Sequence, residues 1–440
     1  MSTTLEHLTT SVRGRVWRPG DEGFDAARRP WNLAVDQEVA AVVEAADADD
    51  VAALVRYAAQ AGLRVATQPT GHGATGRTSG SVLLRTGRLD AVAVDPSDRR
   101  ARVGAGVRSG DLQRAAAAHG LTALPGSSPV VSVAGVVLGG GLSWFSRAFG
   151  WAADSVLSFE VVDAGGTART VDADSDPDLF WALRGGGGDF AVVTAIDLRL
   201  HPAPTVFGGR VLWAGEHRAA VATAFAELTR DAPPELTLWL SLLDIPAPGP
   251  GRLAAIDLTF LGPETEGRAL TAAIDRLPTP LSDGRRTMSA AELGEITAEP
   301  TDPSPGKQRA ELLTRLDDAA LDALVVGATA PLMLVQLRHL GGALGRPTDT
   351  PHGPLEEPYA VYSIGVPKDP AEAEAIAERQ AALAVQLPAS GRKPLTFLGS
   401  TEVLADALPA ASVDRLRRIK DAVDPGHVFR ANHSVLDVPE

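Results

Sequence analysis

The sequence predicts an α+β protein of two domains, and three observations carry that prediction. A chain of 440 residues is longer than one core organises well. Residues 35–205 string together short β-type runs, turn residues and two helical stretches. Residues 206–390 interleave longer strand-like runs with amphipathic helical ones, the pattern of a sheet with helices on one face.

Taken in order, DDVAALVRYAAQA (49–61) reads as a helix with Asp49 as N-cap and Gly62 as its stop. LRVATQP and SVLLRT read as short strands flanking a glycine loop. LDAVAVDPSDRRARVGAGV reads as a hairpin turning at DPSD, and SVLSFEVVDAGGTARTVDA as one turning at Gly165–Gly166. Ser109 is placed to cap the helix DLQRAAAAH, which Gly120 ends, and DFAVVTAIDLRLHP is strongly β-type. This first domain is expected to hold many short antiparallel strands.

In the second domain the strands are GRVLWAG, ELTLWLSLLDI, RLAAIDLTFLG, PLMLVQLRHLGG and YAVYSIGVP. The helices are HRAAVATAFAELTR, EGRALTAAIDRL and AEAEAIAERQAALAVQ. Residues 300–308 and 345–358 are rich in Pro and Gly and read as loops. A helix over 412–425 stops at Asp424-Pro425-Gly426 and is followed by the tail VFRANHSV.

Composition removes several function classes. A formal net charge of −14 argues against nucleic acid and anionic membrane as partners. With no cysteine there are no disulfides, no thiolate catalysis and no Cys-ligated metal. The nine histidines show no metal-ligand spacing, so no metal is expected. The opening residues lack an apolar signal-like core, and no apolar run reaches membrane-spanning length. A soluble cytoplasmic protein is the expectation; the sequence fixes no oligomeric state. Nucleophile-elbow, zinc-protease and P-loop motifs are missing.

QPTGHGATGRTSG (68–80) contains G-x-G-x-x-G at Gly71, Gly73 and Gly76. A dinucleotide fingerprint needs strand, loop and helix in that order, because the helix N-terminus faces the pyrophosphate. Here a strand follows the loop, and Asp90 and Asp95 have the wrong strand context. A glycine-rich turn can still hold a phosphate in a nest of backbone N–H groups. Equally, it can be a tight surface turn around an exposed histidine. Two more glycine-dense tracts, GSSPVVSVAGVVLGGG (126–141) and RGGGGDF (184–190), lie in the same domain. Three such loops suggest a large, elongated ligand lying against the backbone.

These residues bring a family into view. TGHGATG, LPGSSPVVSVAGVVLGGGLSWFSRAFGWAADSVLSFEVVDAGG, DPDLFWALRGGGGDFAVVT, LRHLGGAL and DPGHVFRANHSV together resemble the FAD-linked oxidases of the vanillyl-alcohol-oxidase and p-cresol-methylhydroxylase superfamily, in the berberine-bridge-enzyme-like branch. The resemblance covers nearly the whole chain. It implies a PCMH-type FAD-binding domain over 35–205, completed by a C-terminal segment over 391–440. It also implies a central substrate domain over 206–390, an antiparallel sheet backed by helices.

The resemblance further implies FAD as cofactor, held at Thr70, Gly71, His72, Gly73, Ala74, Thr75 and Gly76. The second tract contributes Gly126, Ser127, Ser128, Val133, Ala134, Gly135, Gly140 and Gly141, the third Val193, and the tail Asn432. His72 matches the histidine that many relatives attach to the flavin 8α-methyl group, chemistry that needs a neutral imidazole. Bicovalent relatives have cysteine where Ser128 stands, so a second link through sulfur is excluded. Val131 matches a position thought to gate oxygen, although valine in V-V-S-V also suits a buried strand. The implied activity is FAD-dependent oxidation of a small organic or secondary-metabolite substrate, by hydride transfer to flavin N5, with O2 as acceptor. A flavin dehydrogenase with another acceptor, or a structural FAD beside a non-redox cyclisation or ligand pocket, are the alternatives.

Many relatives carry Tyr-x-Asn before the C-terminal helix, but here the stretch is PLTFLG (394–399), without tyrosine. Catalytic candidates therefore come from the central domain: Tyr362 first, then His352 and Arg338. Each also suits an ordinary strand face or loop. Period-2 alternation puts Gln336 and Arg338 on one face of their strand and His339 on the other. Trp239 suits either a pocket wall or the core.

Overall fold

The computed structural model describes residues 2–246, 248–249 and 251–438. Strands Arg15–Trp17, Ala41–Glu44, Val82–Arg85 and Val65–Thr67 form a first sheet in that spatial order. The last three run parallel, which corrects the expectation of short antiparallel strands throughout. The reason is the helix Ala48–Ala61: it lies between two of these strands, and parallel neighbours need such a crossover. Its N-cap is Asp47, whose Oδ1 accepts from the Asp49 and Asp50 amides (3.1 and 3.2 Å), so Asp49 is a first-turn residue and not the cap. Gly62 ends it with φ +66°, as its position predicts.

The second sheet is antiparallel: Val92–Asp95, Arg100–Gly104, Val192–Arg199, Val156–Val162 and Ala168–Val171. Both predicted hairpins are in it. Ser109 is the first residue of the helix Ser109–Ala117 and makes no side-chain cap. The chain enters that helix through backbone pairing instead, with Ser109 N donating to Val131 O at 2.8 Å. Val131 does not lie in a strand either. Ser132 Oγ accepts from Gly135 N (3.0 Å) and starts the helix Val133–Leu138. A side-chain cap there outweighs the β preference of the valines.

Among the described residues, the central sheet has eight strands, all paired antiparallel. Its main path runs Ser282–Asp283, Val206–Ala214, Gly251–Phe260, Leu236–Ile245, Leu334–His339, Tyr359–Gly365 and Lys307–Leu313, with Arg286–Met288 also on Val206–Ala214. Lys307–Leu313 begins inside the segment read as a loop. Its KQRAELL composition favours helix, and only pairing with Tyr359–Gly365 makes it a strand. The helices Arg218–Arg230, Asp318–Gly327 and Pro370–Ala384 cover one face, burying Phe225, Leu324 and Ile376 against Leu238, Leu240 and Leu242. Asp318–Gly327 was not anticipated.

The other face turns toward the first domain, where Trp239 stacks on Trp144 with ring centres 3.5 Å apart. With both faces covered, LTLWLSL reads as a continuous buried run. The helix Ala410–Val423 packs back on Pro177–Leu183. The tail then runs beside Val65: Val65 N donates to Val428 O (2.7 Å) and Arg430 N to Val65 O (2.9 Å). No helix among the described residues is long and apolar enough to cross a membrane.

Candidate active site

The loop TGHGATG leaves the strand Val65–Thr67 and turns at Gly71, whose φ is +81°. A Cβ there would come within 2.8 Å of the Pro30 side chain, so only glycine fits. The turn delivers His72 onto Trp31, ring centres 4.3 Å apart and planes 16° apart. Thr70 Oγ1 lies 2.9 Å from His72 Nδ1, while Nε2 is buried without a partner. Burial, with the Arg108 charge adding to it, pushes the imidazole down to about 4. His72 is therefore neutral near pH 7. Further along, Ala74 N closes the turn onto Gly71 O (3.3 Å), and Thr75 Oγ1 donates to Asn432 O (2.9 Å). Gln68 Nε2 donates to Asn432 Oδ1 (3.0 Å), which leaves the Asn432 NH2 group as a donor. The tail asparagine and the histidine loop thus lie together. Gly73 is open to solvent and Gly76 has φ +79°.

In the second tract Ser127 is buried, and Ser128 Oγ is buried with no partner. Val133, Ala134 and Gly135 form the first turn of a helix, and Val193 is buried on its strand beside Val161. Gly140 and Gly141 both have positive φ. A Cβ on Gly140 would lie 2.1 Å from His352 Nε2, and one on Gly185 within 2.6 Å of the same ring. His352 is 2% exposed, stacks on Trp151 at 4.4 Å and is held down at about 4 by burial and by Arg392. It wedges the second and third glycine tracts together.

One residue of the third tract had no reading from sequence. Asp189 is fully buried, and its carboxylate accepts the amides of Ala431 and Val435, each at 2.7 Å. Beneath it the buried Lys420 Nζ donates to Asp189 O (2.6 Å), Phe429 O (2.9 Å) and Asp424 (2.7 Å). This cluster fixes the tail that carries Asn432. A signal was available: one of only four lysines stands four residues before an acid at a helix end.

Arg338 and Tyr362 are brought together on the inner face of the central sheet. The Arg338 guanidinium lies 4.1 Å from the Trp239 ring centre, 4.8 Å from Phe397 and 5.8 Å from Tyr362. Phe397 belongs to the stretch where the family tyrosine is missing, and its ring is 5.0 Å from Tyr362. Tyr362 Oη donates to Gln308 Oε1 at 3.1 Å. Burial, reinforced by Glu299 and opposed by Arg338, holds the phenol above its ordinary range, so it is a neutral donor. His352 packs elsewhere, on the glycine tracts. His339 points to the opposite face, as alternation requires, with Nε2 2.9 Å from Arg147.

A row of hydrogen bonds crosses four strands of this face. Arg338 Nε donates to Gln336 Oε1 (2.7 Å), Gln336 Nε2 to Ser241 Oγ (3.1 Å) and Ser241 Oγ to Asp257 (2.7 Å). Arg210 closes the row bidentately on Asp257 at 2.6 and 3.0 Å. Beside His72, a cavity of about 340 Å³ is lined by Trp31, Thr70, Arg85, Arg108, Val130 and Thr301, among others. No cluster of metal-ligating side chains occurs among the described residues.

Orphaned atoms at His72 and Ser128, tight glycines and a pinned tail asparagine fit a large polar cofactor. Comparison with known proteins identifies which one. The family described as "FAD binding domain" matches residues 39–172, and "Berberine and berberine like" matches 410–436. (R)-6-hydroxynicotine oxidase of Paenarthrobacter nicotinovorans is 36% identical over 207 residues, 46% of this chain and 45% of that protein. The chain spans less than half the length of the first curated relatives it matches: 45%, 40% and 43%. The crystal structure of 6-hydroxy-D-nicotine oxidase from Arthrobacter nicotinovorans superposes with TM-score 0.86 at 25% identity, covering 96% of this chain and 97% of that one. Berberine bridge enzyme from Eschscholzia californica shares the fold, with TM-score 0.84 at 19% identity and 99% coverage of both chains.

Proposed function

From a chain that belongs to the FAD-linked oxidases of the vanillyl-alcohol-oxidase and p-cresol-methylhydroxylase superfamily, in the berberine-bridge-enzyme-like branch, and whose cofactor is FAD, we propose an enzyme that oxidises a small organic molecule with O2 as acceptor. The observation that carries this reading is His72: a neutral, stacked imidazole with a free buried nitrogen, set in a glycine loop beside Asn432. When bound, FAD supplies the hydride acceptor.

The chain's own residues do the rest. Thr70, accepting from Nδ1–H, would fix the tautomer that leaves the Nε2 lone pair free for attachment to the cofactor. The glycine tracts from Gly71 to Gly76 and at Gly126 and Gly141 would offer backbone amides, lined by Ser127, Ser128, Val133, Ala134 and Val193 and by Gly135 and Gly140, whose own amides are taken by Ser132 Oγ and Val137 O. Asn432 presents its amide donor. Across from them, Trp239, Phe397 and Tyr362 would exclude water and hold substrate against the cofactor. Tyr362, its proton engaged by Gln308 Oε1, is proposed to accept a hydrogen bond from a substrate hydroxyl or amine through its Oη lone pair. His352 is better suited to supporting the glycine tracts than to proton transfer.

The test is a visible spectrum before and after acid precipitation. A yellow pellet supports the His72 link, and His72→Ala should then release the colour. Yellow supernatant keeps FAD but makes His72 a contact. Peroxide formed on turnover in air supports the oxidase; dye reduction without peroxide favours the dehydrogenase. A product isomeric with substrate, with the flavin never bleaching, would favour non-redox use.

A further inference from the structure

We propose that Arg338 is the receptor for a carboxylate on the substrate, so that this site takes small organic acids. The inference rests on reading the inner face of the central sheet as the substrate wall. Among the described residues, Arg338 differs from every other buried arginine. Arg147 is satisfied by the carbonyls of Leu236, Leu340, Ala232 and Pro233, and Arg218 by those of Leu253, Ala328 and Leu243. Arg285 pairs with Asp275 and Asp283. Arg338 is 5% exposed and makes one hydrogen bond, from Nε to Gln336. No carboxylate is within ion-pairing distance of it among the described residues.

The way it is held explains what it offers. Aromatic rings occupy the guanidinium faces, which accept no hydrogen bonds and donate none. Gln336 takes Nε, and Ser241 and Asp257 in turn fix Gln336. Asp257 cannot serve as counter-ion, because Arg210 already holds both its oxygens. Among the described residues, neither Nη group has a hydrogen-bond partner. A pinned, planar fork with both outer donors free matches the two oxygens of a carboxylate. Glu299 and Asp257 act on the Arg338 charge through space without a hydrogen bond to it, so an anionic ligand in contact with the fork lowers the cost of burying the cation.

The test uses the purified flavoprotein. Benzoate, phenylacetate and 4-hydroxybenzoate are titrated against their uncharged amides by calorimetry and by the flavin absorbance spectrum. At least one carboxylate should bind about tenfold or more tightly than its amide, as a charge-assisted pair predicts. Arg338→Met should abolish that preference, and Arg338→Lys should keep part of it. Equal affinity for acid and amide, no binding of any carboxylate, or an unchanged preference in Arg338→Met each overturns the proposal. The comparison in the unaltered protein needs no variant to fold. A protein without flavin refutes the flavoenzyme reading instead, and calorimetry then still tests Arg338.

Discussion

Replacing Lys420 by methionine removes a fully buried cation while keeping its bulk. Three acceptors lose their donor: the carbonyls of Asp189 and Phe429 and the Asp424 carboxylate. Asp424 retains only the amides of Val428 and Phe429, at 2.9 Å each, so a buried charge is left without its counter-ion. Breaking such a pair costs about 3–5 kcal/mol, a large fraction of the ~5–15 kcal/mol that typically separates folded from unfolded chains. At ordinary urea slopes this moves the unfolding midpoint down by about 1 M or more. The damage should be local first. Limited proteolysis should cut the tail beyond residue 423 before the central domain, because Asp189 then holds Ala431 and Val435 without support from below. Adding Asp424→Asn should recover part of the loss, since no bare charge remains. A midpoint within about 0.2 M of the parent, well inside the range that a lost buried pair would exceed, refutes the clamp. So does strict additivity of the two substitutions.

Buried neutral histidines set an acid limit. His339 is held down at about 3, and His72, His201 and His352 at about 4, against an ordinary 6.5. The unfolded chain therefore takes up protons below pH 6.5 that the folded one refuses. Stability is full above 6.5 and falls as pH drops toward 4, by up to about 1.4 kcal/mol per pH unit for each histidine. Urea midpoints should hold between pH 7.5 and about 6.5 and fall from there to pH 5, and a flat profile across the whole range contradicts this. Gly140→Ala should destabilise strongly, because its Cβ would meet His352 Nε2 at 2.1 Å and φ is +87°. Adding His352→Ala should relieve the clash but leave about 1–2 kcal/mol for the left-handed backbone, read as a residual midpoint shift. Thr70→Val frees the His72 tautomer and should lower the fraction of flavin that stays in an acid pellet, with a stability loss of only about 1 kcal/mol.

The hairpins, the long central strands and the order of the glycine tracts were legible because period-2 alternation and turn residues are local signals. What was not legible depended either on partners distant in sequence or on which of several nearby side chains reaches a free amide. KQRAELL becomes a strand through Tyr359–Gly365, and Val131–Leu138 turns into a cap and helix through Ser132. Asp47 took the capping role because its oxygen, not that of Asp49, reaches two amides. At the site, alternation correctly separated Arg338 from His339, but could not show that Phe397 would arrive from a stretch about sixty residues later to cover the same guanidinium. His352 has the imidazole chemistry of a proton carrier, but its packing on Gly140 and Gly185 gives it a different task.

The polar row across the central sheet bears on what the site is for. Arg338, Gln336, Ser241, Asp257 and Arg210 occupy inner-face positions on neighbouring strands, where a hydrophobic set would pack against the first domain at no electrostatic cost. Their neighbours on the same strands, Leu238, Leu240 and Leu337, show that the outer face does use that solution. A buried polar row needs every member satisfied to be tolerable. Among the described residues, this one is satisfied at its Arg210 end by Asp257 and along its length by Gln336 and Ser241, and the Arg338 Nη groups are left without a partner. The single deficit lies at the end that Trp239, Phe397 and Tyr362 surround. If Arg338 is the proposed carboxylate receptor, a row satisfied up to that end would hold it rigid in advance of its ligand.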